Sequence, residues 1–183
     1  MNKKATARFE RLSAFATISR HDKTLGITPD VIRLKSLEAR ANSRKREILV
    51  LHRGDDEPLQ RMLNAIEPGS YVQPHRHCNP PKSETIVLMS GSIAFLTFHD
   101  DGSPDTGNFI VLHPAKGALA LDAREGIWHT FFALEPNTVL FEVKAGPFDP
   151  RCDKEAAPWA PAENSPDAPA YLAWMEQLIR LQE

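Results

Sequence analysis

Short β-type runs follow one another from residue 47 to residue 148, with no helical pattern between them. The runs are rich in branched and aromatic residues, and each ends at turn-forming residues such as Arg53-Gly54-Asp55-Asp56 or Pro68-Gly69. They predict strands at 48–52, 59–66, 71–77, 84–89, 93–98, 109–113, 117–121, 127–134 and 139–143. Many short strands with close turns predict an all-β fold, an antiparallel sandwich or barrel.

The 183-residue chain is long enough for one well-buried core, and its pattern divides it into three zones. Residues 1–45 are expected to form an N-terminal helical extension, in which Thr28 caps a helix that begins at Pro29. Residues 46–148 form the barrel. Residues 149–183 are expected to be a proline-rich segment and a C-terminal helix at 170–181, packed on the barrel.

The overall composition argues against several classes of partner. The formal net charge is only −2, so no strong field favours nucleic acid or an anionic membrane. No apolar stretch has the length of a membrane span, and no apolar signal-peptide core follows the basic first residues. We therefore expect a cytoplasmic protein in which Cys78 and Cys152 are free thiols.

A spaced set of ligand-type residues lies between Gly69 and Gly91, in the pattern G-x5-H-x-H-x6-E-x6-G. His75 and His77 are two apart on a predicted strand, so their imidazoles project to the same side. Glu84 begins the next predicted strand. A carboxylate inside the barrel is costly unless it is paired or bound to a metal, so this pattern predicts a metal site.

His129, in Gly126-Ile127-Trp128-His129, is the expected fourth ligand. Three imidazoles and one carboxylate suit one divalent transition metal (Fe, Mn, Ni, Co or Zn) better than Ca or Mg. We therefore predict that His75, His77, Glu84 and His129 hold one such ion.

These residues resemble the two motifs of the cupin superfamily, G-x5-H-x-H-x3,4-E-x6-G and G-x5-P-x-G-x2-H-x3-N. The resemblance implies a double-stranded β-helix, or jelly-roll, barrel with flanking N- and C-terminal helices. The spacing between His77 and Glu84 is longer than in the first motif, and Arg124 and Ala133 replace the proline and asparagine of the second.

A narrower resemblance is to the WbuC-type cupin-fold metalloproteins, a family often encoded among bacterial O-antigen genes. It is carried by Pro74-His75-Arg76-His77, Pro80-Pro81-Lys82-Ser83-Glu84, Gly126-Ile127-Trp128-His129-Thr130 and Phe141-Glu142-Val143-Lys144. This resemblance implies a metal and a setting in polysaccharide biosynthesis, and it implies no particular reaction.

Five further residues are candidates for contact with a substrate. Gln73 shares strand parity with the two histidines, and Trp128 and Phe131 flank His129. Lys82 is either an exposed lysine or a contact for an anionic substrate. Arg61 is either a buried ion-pair partner or a cation of the pocket.

Three functions fit these features. The first is a metal-dependent enzyme for a small polar molecule such as a sugar or sugar nucleotide, either an isomerase or epimerase or, with Fe(II), a dioxygenase. The second is a non-catalytic module that binds or senses a small molecule, and the third is a structural metal site. The fold alone does not choose between them.

The proline-rich segment and the N-terminal extension exceed what one small barrel needs to close. Sheets with exposed faces or edges commonly pair with a second copy, so we predict a homodimer. The other expected partner is the small-molecule ligand.

Overall fold

The computed structural model describes residues 9–182. The strands are β1 Phe9–Ser13, β2 Ala16–Ser19, β3 Arg46–Val50, β4 Leu59–Ile66, β5 His75–Arg76, β6 Glu84–Ser90, β7 Ile93–Phe98, β8 Ile110–Leu112, β9 Ala120–Ala123, β10 Trp128–Ala133, β11 Thr138–Ala145 and β12 Glu155–Ala156. The helices are α1 Pro29–Ala41 and α2 Ala168–Arg180. Neither helix of this described part is long and apolar enough to cross a membrane.

These strands form two sheets. The larger has the order β1-β2-β3-β4-β11-β6-β9, and the smaller has the order β12-β5-β10-β7-β8. Neighbouring strands are antiparallel except β2 and β3, which run parallel. Side chains of both sheets, including Ile86 and Leu140 from the larger and Phe95 and Phe131 from the smaller, form one core between them. The predicted all-β antiparallel barrel is confirmed.

The two helices cover the outer faces of the barrel. In α1, Thr28 accepts a hydrogen bond from the backbone N–H of Val31, and Val31 packs on the outer face of the larger sheet, as the capping pattern predicted. In α2, Leu172 and Met175 pack against Phe132 on the outer face of the smaller sheet. The two helices therefore leave the interior of the barrel to the strands.

Residues 9–19 differ from the helical extension predicted for residues 1–45, because they form β1 and β2. The reason is strand pairing. Ala16-Thr17-Ile18 aligns in parallel with Ile48-Leu49-Val50 of β3, and without this partner β3 would be an open edge of the sheet. Residues 1–8 of that extension lie outside the described residues, and the division into three zones stays a prediction. The strand predicted at 71–77 is only His75–Arg76.

Candidate metal centre

Both sheets contribute to the predicted ligand set. His75 on β5 and His129 on β10 are direct partners across two antiparallel strands of the smaller sheet, and His77 follows β5. Glu84 is the first residue of β6 in the larger sheet. All four side chains are buried. The closure of the two sheets therefore brings a carboxylate to three imidazoles inside the barrel.

Backbone carbonyls fix the tautomer of each histidine. Nδ1 of His75 lies 2.9 Å from the carbonyl oxygen of Gln73, and Nδ1 of His129 lies 2.8 Å from that of Ile127. Nδ1 of His77 contacts the carbonyl oxygen of Asp153. Because a carbonyl oxygen only accepts hydrogen bonds, each Nδ1 carries the proton and each Nε2 keeps its lone pair. This is the arrangement that orients histidine ligands around a metal.

The free nitrogen atoms converge on one point. One ligand atom from each of His75, His77 and His129 lies within 4.8 Å of the other two. The Glu84 carboxylate is 2.9 Å from Nε2 of His129 and 3.6 Å from Nε2 of His77. Ligand atoms about 2.1 Å from one ion, at angles of about 90–110°, lie about 3.0–3.4 Å apart. The observed spacing fits a single ion.

Three of these buried atoms have no hydrogen-bond partner among the described residues: Nε2 of His77, Nε2 of His129 and one oxygen of Glu84. Buried polar atoms without a partner are costly, and a cation held between them would satisfy all three. The cluster of His75, His77 and His129 is thus a donor set for a divalent metal. Glu84 stays a predicted fourth ligand, and the identity of the metal stays open.

Two pKa shifts favour the metal-binding protonation states. Burial lowers the pKa of His75 well below its usual range, and Lys154 and His129 lower it further. Burial alone would raise the pKa of Glu84, but the neighbouring imidazoles, above all His129, bring it well below its usual range. His75 is therefore neutral and Glu84 is anionic, as ligation requires.

The long spacer between His77 and Glu84 is taken up by a compact turn. Cys78 and Pro81 form an isolated bridge, and the backbone N–H of Lys82 donates to the carbonyl of His77. The chain therefore returns to the site within six residues, and Glu84 reaches His77 despite the departure from the cupin spacing.

Lys82 belongs to a buried ion cluster, so it is not the exposed lysine of our first alternative. Its ammonium lies 2.9 Å from one carboxylate oxygen of Asp153, and the Lys144 ammonium lies 2.6 Å from the other. All three residues are buried. The cluster holds in place the Asp153 backbone carbonyl that accepts from His77. Lys82 therefore helps to position His77, a predicted metal ligand, and is not available to a substrate.

An internal cavity of about 80 Å³ adjoins two of the predicted ligands, His75 and Glu84. The other residues that line it are Phe15, Arg44, Arg46, Ile48, Asn64, Val72, Phe131, Glu142 and Lys154. Of the five predicted substrate contacts, only Phe131 lines this cavity. A molecule in it would reach the metal position directly.

The remaining predicted contacts lie elsewhere. The Gln73 amide donates to the carbonyls of Ala157 and Ala160, which tie it to the C-terminal segment. Trp128 has the opposite strand parity to His129, so it packs on the outer face of the smaller sheet. Arg61 forms a partly exposed ion pair with Glu57 at 2.9 Å, the ion-pair alternative of the two we considered.

Sequence reasoning missed the charged residues that line the cavity, namely Arg46, Glu142 and Lys154. Glu142 shares a face of β11 with Leu140, which lies in the core between the sheets, but its alternation with the apolar Phe141 and Val143 would have placed it outside. Arg46 and Lys154 come from β3 and from the segment after β11, and nothing in the local pattern places them together.

Phe95 was also missed as part of the site. Its ring stacks on the imidazole of His129, with ring centres 5.2 Å apart and planes at 12°. The stack covers one face of His129 with apolar surface and fixes the plane in which its Nε2 lies.

A family model described as a domain of unknown function, DUF6016, matches residues 27–108. The matched part includes His75, His77 and Glu84 and ends before His129. No curated protein matches the chain.

Several solved structures resemble the chain at low identity. KdgF from Halomonas sp. is 17% identical over 57% of this chain and 81% of its own, with a TM-score of 0.43. The capsular polysaccharide assembling protein CapF from Staphylococcus aureus is 18% identical over 60% of this chain and 28% of its own, with a TM-score of 0.45. Oxalate decarboxylase from Bacillus subtilis is 18% identical over 55% of this chain and 24% of its own, with a TM-score of 0.44.

These likenesses concern the fold alone, and no activity is carried over from them. The decisive observations are the two antiparallel sheets and the three histidines gathered between them. The architecture is the all-β, two-sheet antiparallel barrel that the resemblance to cupins implied. The narrower likeness to WbuC-type proteins stays a prediction.

Proposed function

We propose that this protein is a metal-dependent enzyme that acts on a small polar molecule held in the cavity beside His75 and Glu84. The observation that carries the proposal is the convergence of three imidazoles with fixed tautomers on a point next to that cavity. His75, His77, His129 and Glu84 would hold the ion. A purely structural metal would not need an adjoining cavity lined by charged side chains.

The ion, when bound, would supply a Lewis acid for a carbonyl or hydroxyl oxygen. The chain supplies a separate candidate for proton transfer. Glu142 is buried, lines the cavity, and has one weak hydrogen bond, from Asn64 at 3.3 Å. Glu84 would remain a ligand, because a metal-bound carboxylate has little basicity left. Glu142 is thus the group that distinguishes catalysis from simple binding.

The size of the cavity bears on the substrate. A volume of about 80 Å³ is far below the 300–1,000 Å³ of typical sites for drug-sized ligands. It favours a small molecule over a sugar nucleotide. A role in polysaccharide biosynthesis is supported only by the sequence resemblance.

The proposal is tested by purifying the protein without added metal, measuring its metal content, and screening small hydroxy and keto compounds for turnover with Fe, Mn, Ni, Co and Zn forms. We expect turnover with at least one metal, and its loss in Glu142→Gln with metal content unchanged. Glu135→Gln, an exposed glutamate, is the matched control. Binding without turnover in any metal form would instead favour the binding module. Uptake of dioxygen by the Fe(II) form would place the reaction among the dioxygenases.

A further inference from the structure

The cavity beside the candidate metal centre is lined by three cationic side chains, Arg44, Arg46 and Lys154. Two of them already have partners. Arg44 and Arg46 share the carboxylate of Glu163, and Arg46 also donates to the backbone carbonyl of Tyr71. Both guanidinium groups are therefore committed to Glu163, although the three side chains together leave one net positive charge at the cavity wall.

Lys154 is different, because its ammonium has no hydrogen-bond or ion-pair partner within residues 9–182. It reaches the cavity from the segment between β11 and β12. Lys154 is an exposed residue, but desolvation is the main cause that lowers the pKa of its ammonium, so an anion in the cavity would stabilise the charged form. The cavity thus has one unpaired positive group.

A second atom that faces the cavity, the amide oxygen of Asn64, also has no partner in the described part of the chain. Asn64 is buried, and its amide NH₂ faces the Glu142 carboxylate, which accepts hydrogen bonds only. This contact fixes the orientation of the amide. Its oxygen is left buried and without a hydrogen-bond partner among the described residues. That oxygen can only accept, so it suits a ligand that brings a hydroxyl group.

The two unpaired groups together define a ligand. We propose that the cavity binds a small 2-hydroxy carboxylate, whose carboxylate is held by Lys154 and whose hydroxyl donates to the amide oxygen of Asn64. This proposal rests on the proposed metal-dependent function, since the same small molecule would lie beside the ion. At about 30 Å³ for each water, the cavity has room for about three waters, so the acid must be short.

The test uses the full chain loaded with Co(II), whose visible spectrum reports changes at the ion, and three probes of similar size. Lactate has both groups, lactamide lacks the charge, and propionate lacks the hydroxyl. We expect lactate to bind at least about tenfold more tightly than either of the other two. Lactamide would lose one charge-assisted hydrogen bond, and propionate would leave one buried acceptor without a partner.

Variants of Lys154 assign the charge preference to this residue. Lys154→Gln should abolish the preference for lactate over lactamide while the cobalt content stays at the wild-type level. Lys154→Arg should keep part of the preference. Lys116→Gln, a change at an exposed lysine outside the cavity, is the matched control and should behave as wild type.

The outcomes separate this inference from the proposed function. If cobalt binds but lactate binds no better than lactamide, or if Lys154→Gln keeps the preference, the inference is wrong and the metal site stands. Equal binding of lactate and propionate would remove the role of Asn64 and overturn the 2-hydroxy assignment. If cobalt does not bind, both the proposed function and this inference are wrong.

Discussion

One carboxylate oxygen of Glu84 lies 2.9 Å from Nε2 of His129, yet neither atom has a hydrogen-bond partner within residues 9–182. Nδ1 of His129 donates to the carbonyl of Ile127, so Nε2 presents a lone pair to an anionic oxygen. Two lone pairs at this distance repel each other unless a positive charge lies between them or beside them. A shared metal ion removes the conflict, and the following predictions depend on it.

Alanine at His75 or His77 should sharply lower the metal content of the protein. Each substitution removes one of three imidazole ligands, and the remaining donors cannot close the coordination shell. The measurement is metal per chain by mass spectrometry after dialysis, with His99→Ala, at an exposed histidine, as the control. Full occupancy in the double variant His75→Ala, His77→Ala would exclude these residues as ligands.

Glu84→Gln should lower metal affinity together with any activity. The amide keeps the shape of the side chain but loses the negative charge that would neutralise the ion. Titration with Co(II) or Zn(II), followed by competition with a chelator, gives the affinity. If affinity is unchanged while turnover is lost, Glu84 would be an acid or base of the reaction and not a ligand.

Asp153→Asn should destabilise the protein by roughly 3–5 kcal/mol at neutral pH, because it leaves the buried ammonium groups of Lys82 and Lys144 without their counter-charge. Chemical denaturation measures the change in the free energy of unfolding, and Asp56→Asn, at an exposed residue, is the control. A loss below 1 kcal/mol would contradict the importance of this cluster.

The same carboxylate should give a defined pH dependence. Burial alone would raise the pKa of Asp153, but Lys144 and Lys82 outweigh it, so the pKa is lowered on folding. Its stabilising contribution is therefore complete above the unfolded pKa, about 3.9, and is lost as the pH falls through the lower folded value. Wild type and Asp153→Asn should accordingly converge in stability under strongly acidic conditions.

The homodimer remains a prediction with a direct test. The edge strand β1 carries Leu12, which is half exposed, and Leu119, before the edge strand β9, is 60% exposed. Open edges with exposed apolar residues favour pairing with a second copy. Light scattering at micromolar concentration should give twice the chain mass of 20.5 kDa. A mass of one chain would contradict the prediction.

The sequence predicted the barrel and the histidine cluster because both follow from short-range pattern. Strand parity put His75 and His77 on one side, and the capping pattern at Thr28 and Pro29 located α1. Local pattern did not predict features that depend on distant pairing. Neither alternative for Lys82 included its pairing with Asp153, which is 71 positions away, and the cavity combines residues from six strands and four loops.

The central claim is tested most directly by elemental analysis of the protein purified without added metal and of the protein reloaded after chelation. The account predicts close to one divalent transition metal ion per chain, lost when His75, His77 and His129 are all replaced by alanine. A protein that retains no metal after reloading with Fe, Mn, Co, Ni or Zn, or a triple variant that retains as much as wild type, would contradict it.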